Sequence, residues 1–258
     1  MNAPADELTH DALFGGAVEF WQPTRGYRVN IDSILLAAFA AQRPPTTTLD
    51  LGAGVGAVTL ALNHLGAVAR GVLVECEPDL ARLAERNLRD AALDASVLVL
   101  DLAQHALPQE LQAEVDLVVC NPPFFEPGQV RPPLNGAERR ARSGELDPFL
   151  AAAAYALSGK RARACFAYPA RALERFLDCS RQHGLVAKRL RFVHSDRSQP
   201  ARLCLVEVRR ARPGGLVVEA PLYEWEAQQV RSRELALLTG AEPSADDFSR
   251  TLQKADRS

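Results

Sequence analysis

The chain lacks any apolar segment long enough to cross a membrane. Its longest apolar stretches, such as residues 34–41, are far shorter than the roughly 20 residues that a transmembrane helix needs. The N-terminus is acidic and polar, and it shows no basic region followed by an apolar run, so we expect no secretory signal peptide. Both absences predict a cytoplasmic protein without a membrane partner.

Cysteine is scarce, and its spacing does not indicate a metal site. The chain has five cysteines, an odd number, with no CxxC pair among them. We interpret them as reduced, buried, small hydrophobic residues and expect neither disulfide bonds nor a bound metal. They are Cys76, Cys120, Cys165, Cys179 and Cys204.

An excess of positive charge is also missing. The formal net charge is −2, which argues against a strongly electrostatic nucleic-acid binder, since such domains are usually basic. Arginines nevertheless concentrate in one predicted loop, at Arg131, Arg139, Arg140 and Arg142. The loop is either a contact for phosphates or simply solvated, and composition leaves both interpretations open.

Short apolar runs alternate with helical patterns along most of the chain. This alternation predicts an α/β fold: a Rossmann-like, seven-stranded, mostly parallel sheet with helices on both faces. The last two strands are close enough in sequence to form an antiparallel hairpin at one edge of the sheet. The predicted strands cover residues 48–51, 71–74, 96–100, 115–120, 163–168, 188–194 and 202–210.

The sequence divides into three predicted segments. Residues 1–45 form an N-terminal extension with a loose terminus to about residue 13, a hairpin over residues 20–29, and a helix from Ser33 to about Gln42. Residues 46–226 form the main domain, and residues 227–258 form a C-terminal helix and a flexible tail. We expect the hairpin and the first helix to lie over a ligand site in the main domain.

A ledge of four residues, Asn121-Pro122-Pro123-Phe124, follows an apolar predicted strand. Proline cannot continue a sheet ladder, so the chain must turn out of the strand after Asn121. Ligands of open α/β sheets bind at this carboxyl edge. The Asn oxygen and a Pro carbonyl can accept both protons of an NH2 group while the aromatic ring stacks on its plane. The plain alternative is a proline-rich turn.

Three further strand ends carry residues suited to a nucleoside. Gly52 and Gly54 follow the first strand with GxGxG spacing, which differs from the GxGxxG of a dinucleotide site. Glu75 ends the second strand, where an acid can bind both ribose hydroxyls, although Glu77 remains a rival for this role. Asp101 follows the third strand, where a carboxylate can accept a hydrogen bond from an adenine amino group.

The segments DLGAGVG, VLVECEP, VLVLDLAQ and DLVVCNPPFF, in this order, resemble motifs I to IV of the class I S-adenosylmethionine-dependent methyltransferases. The tetrad NPPF resembles the (D/N)PP(Y/F/W) signature of those that methylate exocyclic or amide nitrogens. Residues 20–36, the Arg-rich segment 137–143 and residues 191–194 resemble the bacterial tRNA1(Val) (adenine-37-N6)-methyltransferase family. This resemblance implies the class I methyltransferase fold, S-adenosylmethionine as cofactor, and N6 of an adenine in tRNA as acceptor. We expect a monomer.

The resemblance also implies roles for individual residues. Catalysis falls to Asn121 and Pro122, which hold the amine, and to Phe124, which stacks on the base where the family usually has tyrosine. Asp50 binds the methionine ammonium, and Tyr27 and Asp32 cover the methionine end, with a packed aromatic and a capped helix as the plain alternative. The substrate-binding residues are Pro123, Phe125, Arg139, Arg140 and Arg142.

Three other functions share parts of this pattern. Protein-glutamine methyltransferases of release factors use the same tetrad, but they carry a helical substrate domain before motif I, where this chain has fewer than fifty residues. Guanine-N2 methyltransferases of rRNA use the same ledge geometry. A non-catalytic S-adenosylmethionine-binding module would not need the ledge.

Overall fold

The computed structural model of the chain describes residues 7–41, 47–122, 146–159, 161–227 and 230–240. Most of its strands join one mixed sheet. In chain order, the strands are β1 (Leu8–Leu13), β2 (Val18–Pro23), β3 (Thr47–Leu51), β4 (Arg70–Glu75), β5 (Ala95–Val99), β6 (Leu117–Cys120), β7 (Arg163–Pro169), β8 (Val186–His194), β9 (Ala201–Arg209), β10 (Val217–Val218), β11 (Leu222–Tyr223), β12 (Trp225–Ala227) and β13 (Val230–Arg231).

Helices cover both faces of this sheet. They are α1 (Ile31–Ala40), α2 (Ala57–His64), α3 (Pro78–Asp90), α4 (Leu146–Ala156), α5 (Leu173–Gln182) and α6 (Arg233–Thr239). The side chain of Asn30 caps α1, since its oxygen accepts a hydrogen bond from the Asp32 amide at 3.0 Å. Pro78 opens α3, as its fixed φ favours at a helix start.

The main sheet has the strand order β5-β4-β3-β6-β7-β9-β8. Strands β3 to β7 pair in parallel, and β9 pairs antiparallel with both β7 and β8. The predicted α/β class, with a mostly parallel sheet and a late hairpin, is confirmed. The hairpin is not the outermost element, however, because the two-residue strands β10 and β11 pair in parallel with β8 on its outer side.

The core consists of two apolar layers, one on each face of the sheet. Residues of β6 alternate between them: Leu117 and Val119 pack with α1 and α2, whereas Val118 and Cys120 pack with α4 and α5. This alternation is the period of two expected of a strand. Because both faces are covered, β6 is apolar at all four positions, as parallel strands usually are.

The N-terminal segment differs from its predicted form. Residues 8–13 are strand β1, which pairs with β2 along its whole length, and the turn lies at Phe14–Gly16. The predictions of a loose terminus to about residue 13 and of a hairpin over residues 20–29 were therefore wrong. The sequence LTHDAL of β1 is mostly polar or small, so its strand character comes from pairing with the more apolar β2 rather than from its own pattern.

The C-terminal segment is also more structured than predicted. Instead of one helix from residue 227, the chain forms the β12–β13 pair and then α6. Ser232 caps α6 by accepting a hydrogen bond from the Leu235 amide at 3.1 Å. Leu235 and the α1 residues belong to the same core layer, so the three predicted segments divide the sequence but not the core. Residues 241–258, the predicted tail, lie outside the described residues.

Candidate active site

The carboxyl ends of four neighbouring parallel strands meet at one cavity of about 540 Å³. Leu51 of β3 pairs with Val74 of β4 on one side and with Cys120 of β6 on the other. The chain leaves β3 toward β4 and later returns to its other side, so this edge is a topological switch point, where ligands of α/β sheets bind. The predicted site residues that line the cavity are Tyr27, Asp32, Gly52, Glu75, Asp101, Asn121 and Pro122.

The glycine-rich turn after β3 leaves space that other residues would fill. Gly52 and Gly54 have φ angles of 69° and 57°, which side chains rarely adopt. A Cβ at Gly52 would stand 3.2 Å from the Phe149 ring, and one at Gly54 would overlap the ring of Tyr27. Gly52 therefore faces the cavity, whereas Gly54 lies beneath Tyr27.

Two backbone amides fix the orientation of the Glu75 carboxylate. Its Oε2 accepts a hydrogen bond from the Gly54 amide at 2.7 Å, and its Oε1 accepts one from the Glu77 amide at 2.9 Å. Each carboxylate oxygen retains a second lone pair for a ligand hydroxyl. Glu77 is not among the described residues that line the cavity. Of the two acids, Glu75 is thus the one positioned for a ribose.

Asp101 lies two residues beyond the end of β5, at the cavity mouth. Its carboxylate accepts hydrogen bonds from the Ala103 amide at 3.0 Å and from the Gln104 side chain at 2.6 Å. These bonds turn the chain so that Leu100 and Leu102 also line the cavity. Apolar walls beside an acceptor suit a flat base that carries an amino group.

Asn121 directly follows β6 and is half-buried at the cavity wall, next to the buried Pro122. Among the described residues, none forms a hydrogen bond with its carboxamide, which is therefore available to a ligand. Phe149 of α4, which no sequence motif indicates, lines the same cavity. The predicted site residues Pro123, Phe124, Phe125, Arg139, Arg140 and Arg142 lie outside the described residues.

Asp50 sits behind the cavity rather than in its wall. It is only 1% exposed, and its Oδ2 accepts a hydrogen bond from the Thr59 hydroxyl at 2.7 Å. Burial raises the pKa of Asp50 to about 7, and the nearby Glu75 carboxylate adds to the rise. Burial likewise raises the pKa of Tyr27, with further contributions from Asp50 and Glu75. The contact of Asp50 with a ligand ammonium stays a prediction.

The N-terminal extension covers one side of the cavity through Tyr27, Arg28 and Asp32. Asp32 accepts a hydrogen bond from Nη2 of Arg202 at 2.7 Å, and the same guanidinium pairs with Glu224. Arg202 also lines the cavity. No sequence pattern indicates a role for Arg202, because its partner Asp32 lies 170 positions away.

Asn87 of α3 connects the extension to the glycine-rich turn. Its oxygen accepts a hydrogen bond from the Trp21 amide at 2.7 Å, and its nitrogen donates to the carbonyls of Trp21 and Val55, at 3.0 and 2.9 Å. The sequence pattern placed Asn87 only on the apolar face of a helix. A fully buried asparagine on such a face is the signal that it bridges backbone groups.

Cysteine chemistry does not explain the cavity. Burial, followed by the effect of Glu75, raises the pKa of Cys76 to about 12, and burial raises that of Cys120. Both thiols thus stay protonated and are poor nucleophiles near neutral pH. The expectation of buried cysteines is confirmed for Cys120, Cys165 and Cys204 but wrong for Cys76 and Cys179, which are partly exposed. Cys76 directly follows β4 at the cavity, and Cys179 lies on an outer helix.

Comparison with known proteins identifies this arrangement. A family model described as the methyltransferase small domain matches residues 28–137. Over these residues the chain is similar to the methyltransferase small domain. Over 175 residues, covering 67% of this chain and 73% of the relative, it is 29% identical to a tRNA1(Val) (adenine(37)-N6)-methyltransferase of Pedobacter heparinus. The family resemblance inferred from the motifs is confirmed.

Solved structures agree on the fold. A predicted O-methyltransferase of Agrobacterium tumefaciens superposes with a TM-score of 0.63 at 20% identity, covering 82% of this chain and 97% of that one. A 16S rRNA N2 methyltransferase of T. thermophilus, in complex with AdoMet and guanosine, gives a TM-score of 0.56 at 22% identity, covering 81% and 52%. The predicted Rossmann-like class I methyltransferase fold is confirmed.

No helix in the described part of the chain combines the length and apolar character needed to cross a bilayer.

Proposed function

We propose that this enzyme transfers a methyl group from S-adenosylmethionine to N6 of an adenine in RNA, with a tRNA anticodon loop as the favoured substrate. The observation that carries the proposal is one cavity shared by two acids suited to a nucleoside and by an amide suited to an amine. The relatives whose names specify an adenine N6-methyltransferase supply the substrate class. We further propose that the enzyme acts as a monomer in the cytoplasm.

The cavity fits the adenosine half of the methyl donor. Glu75 can accept hydrogen bonds from both ribose hydroxyls, since the backbone amides of Gly54 and Glu77 already fix its orientation. Asp101 can accept one from the adenine amino group, and Leu80, Leu100 and Leu102 provide apolar contacts for the ring. A side chain at Gly52 would narrow this space. When bound, S-adenosylmethionine supplies an electrophilic methyl group on a sulfonium.

The methionine half has polar neighbours on the opposite side. Tyr27 and Asp32 line that part of the cavity, and Arg202 stands beside Asp32. In our proposal, Tyr27 and Asp32 enclose the methionine chain, while Asp50 acts on its ammonium from behind the glycine-rich turn. The Tyr27 ring packs directly over Gly54 of this turn.

The acceptor amine is activated by Asn121 and Pro122. An exocyclic adenine nitrogen is a weak nucleophile, because its lone pair is delocalised into the ring. When the Asn121 side-chain oxygen and the Pro122 carbonyl accept its two N–H groups, the nitrogen can become pyramidal and direct its lone pair at the methyl carbon. The N–C bond would form as the methyl–sulfur bond breaks and leaves a neutral thioether, and the nitrogen, which gains the positive charge, would afterwards lose one proton to water. Positioning and fixed dipoles thus account for catalysis.

The remaining proposed contacts fall on residues 123–145, outside the described residues. Phe124 stacks on the target adenine, and Pro123 and Phe125 line its pocket. Arg139, Arg140 and Arg142 bind phosphates beside the base. An adenine that is already unstacked in a loop requires the least free energy to enter this pocket.

Product analysis tests this proposal directly. The protein is incubated with labelled S-adenosylmethionine and, in separate reactions, with unmodified tRNA, rRNA and a release factor, and the products are digested and identified. We expect N6-methyladenosine from tRNA. Methylguanosine from rRNA or methylglutamine from the release factor would replace our substrate with one of the two alternatives. Donor binding without any methylated product would indicate a binding module.

A further inference from the structure

Three side chains of types that can bind metals lie close together on the helices that cover one face of the sheet, away from the cavity. Cys179 and His183 lie one turn apart, at the end of α5, so they share one face. Asp147, in the first turn of α4, faces both of them. Its Oδ1 is 2.8 Å from Nε2 of His183 and accepts a hydrogen bond from the Cys179 thiol at 3.6 Å.

The distances among these donor atoms suit a tetrahedral ion. All three ligand atoms lie within 4.8 Å of one another. Zinc binds sulfur at about 2.3 Å and nitrogen or oxygen at about 2.0–2.2 Å, so tetrahedral ligands stand about 3.3–3.6 Å apart. The distances from Asp147 Oδ1 to the Cys179 sulfur, 3.6 Å, and to Nε2 of His183, 2.8 Å, lie close to that spacing. Thiolate, imidazole and carboxylate together are a donor set that favours zinc over magnesium or calcium.

We propose that Asp147, Cys179 and His183 form a site for one zinc-like divalent cation. Cys179 loses its thiol proton to solvent as the metal–sulfur bond forms, and the metal replaces the hydrogen bond between Asp147 and His183. Three protein ligands leave a fourth position for water. Glu174, Arg175 and Asp178 border the same depression, and Asp178 pairs with Arg181, so these side chains contribute no net charge to the site.

The site is separate from the transfer cavity but adjoins its wall. Cys179 and His183 do not line the cavity, whereas Pro148 and Phe149, which directly follow Asp147, do. A bound ion would tie the start of α4 to the end of α5 and so hold Phe149 near Gly52. The sequence predicted no metal because the carboxylate lies 32 residues before Cys179 and only the fold brings them together.

Metal titration of the full chain tests the proposal. Chelator-treated protein is titrated with Zn²⁺ by calorimetry and with Co²⁺ by absorption, where a thiolate-to-cobalt charge-transfer band reports the Cys179 ligand. We expect one equivalent to bind. Cys179→Ser should abolish the band, and His183→Gln should weaken binding at least about tenfold, the lower limit seen when even an outer partner of a ligand is lost.

Matched controls separate this site from adventitious binding. Cys76→Ser removes another partly exposed thiol, and Asp178→Asn removes a carboxylate from the same depression, where Asp178 pairs with Arg181. Both variants should bind like the unaltered protein. Absence of binding, or a band that disappears in Cys76→Ser, would overturn the proposal. Circular dichroism of each metal-free variant verifies that it is folded.

Discussion

At the residue scale, the side chains that we propose for the methyl donor differ in their hydrogen bonding from the one that we propose for the acceptor. Glu75 and Asp101 have their carboxylate oxygens engaged by nearby N–H groups, so their orientation is set before a ligand arrives. Asn121 has no such engagement among the described residues. Its carboxamide can therefore serve a group that is present only when the second substrate is bound.

Asn121→Ala should reduce methyl transfer at least about a hundredfold, because a lost hydrogen-bond partner of the reacting group typically costs that much. Affinity for S-adenosylmethionine should change little. Single-turnover transfer to tRNA and calorimetric donor binding measure the two quantities. Asn63→Ala, at the far end of α2, is the matched control and should leave both unchanged. A loss of donor binding in Asn121→Ala would assign Asn121 to the donor half.

Glu75→Gln should chiefly weaken binding of S-adenosylmethionine, whereas Asn121→Ala chiefly slows methyl transfer. A glutamine has one oxygen for two backbone amides, so its NH2 group would face an N–H of Gly54 or Glu77. With charge-assisted hydrogen bonds worth about 1.5–3 kcal/mol each, donor affinity should fall about tenfold or more. Calorimetry measures this loss. Unchanged affinity in Glu75→Gln would exclude Glu75 as the ribose ligand.

Asp50 links stability to pH. Because its folded-state pKa is about 7 rather than 3.8, the folded protein holds a proton that the unfolded chain releases. The stability due to this proton is fully present below about pH 4 and is lost as pH rises to about 7, up to ~4 kcal/mol in total. Asp50→Asn keeps the acceptor for Thr59 and should remove this loss.

Urea unfolding at pH 5 and pH 8 checks the Asp50 prediction. Asp50→Asn should be more stable than the unaltered protein at pH 8, and the difference should shrink at pH 5. Equal stability of the two proteins at pH 8 would contradict the raised pKa. If Asp50 also acts on the donor's ammonium, Asp50→Asn should bind S-adenosylmethionine more weakly. The substitution would then increase stability and decrease donor affinity.

At the element scale, the N-terminal hairpin depends on one side chain of α3. Asn87 joins β2 to the glycine-rich turn through three hydrogen bonds to backbone groups. The indole of Trp21 also lies under the Arg86 guanidinium, with the guanidinium carbon 3.9 Å from the ring centre. The hairpin and α3 should therefore open together rather than separately.

Asn87→Ala should lower the free energy of unfolding by about 2 kcal/mol, since it leaves one buried and two partly buried backbone groups without their partner. Amide hydrogen exchange should accelerate in β1 and β2 more than in β6. Denaturant unfolding and exchange mass spectrometry measure these effects. Asn63→Ala, a half-buried position on α2, should change stability by no more than about 0.5 kcal/mol. Equal exchange in β2 and β6 would contradict the local role of Asn87.

The elements that the sequence predicted are those with a strong pattern of their own. Strands β3, β4 and β6 could be predicted because burial on both faces requires continuous apolar residues. Helix α3 could be predicted because burial of one face requires apolar residues at helical spacing. Strand β1 could not be predicted in this way, since its partner β2 determines its conformation. Strands β10 and β11 have two residues each, too few for any period to show.

At the scale of the whole molecule, RNA recognition must work against a net charge of −2. In our proposal, three arginines of residues 123–145 supply the phosphate contacts. The affinity for tRNA should therefore fall with salt, with a logarithmic slope of about −2 to −3. Replacing Arg139, Arg140 and Arg142 with glutamine should flatten that slope without changing donor affinity. Filter binding across a KCl series measures it. An unchanged slope would place the phosphate contacts elsewhere.

How much of the site could be predicted from the sequence depends on which contacts require the whole fold. Glu75 ends a strand, and Asn121 and Asp101 follow one within two residues. Because parallel strands bring their carboxyl ends together, the local pattern was sufficient to place these three residues at one edge. The pairing of Asp32 with Arg202 and the meeting of Asp147 with Cys179 depend on packing across the fold. No spacing in the chain encodes them, because helix positions relative to the sheet are set by the core as a whole.

The position of β9 between β7 and β8 has a consequence for synthesis on the ribosome. Strand β8 reaches the sheet only through β9, which follows it in sequence. Until residue 209 has emerged from the exit tunnel, β7 presents an open edge, and nascent β8 has no place in the sheet. The parallel half around β3 can form earlier. Stalled chains ending near residue 195 should thus be more sensitive to protease and to aggregation than chains that include β9.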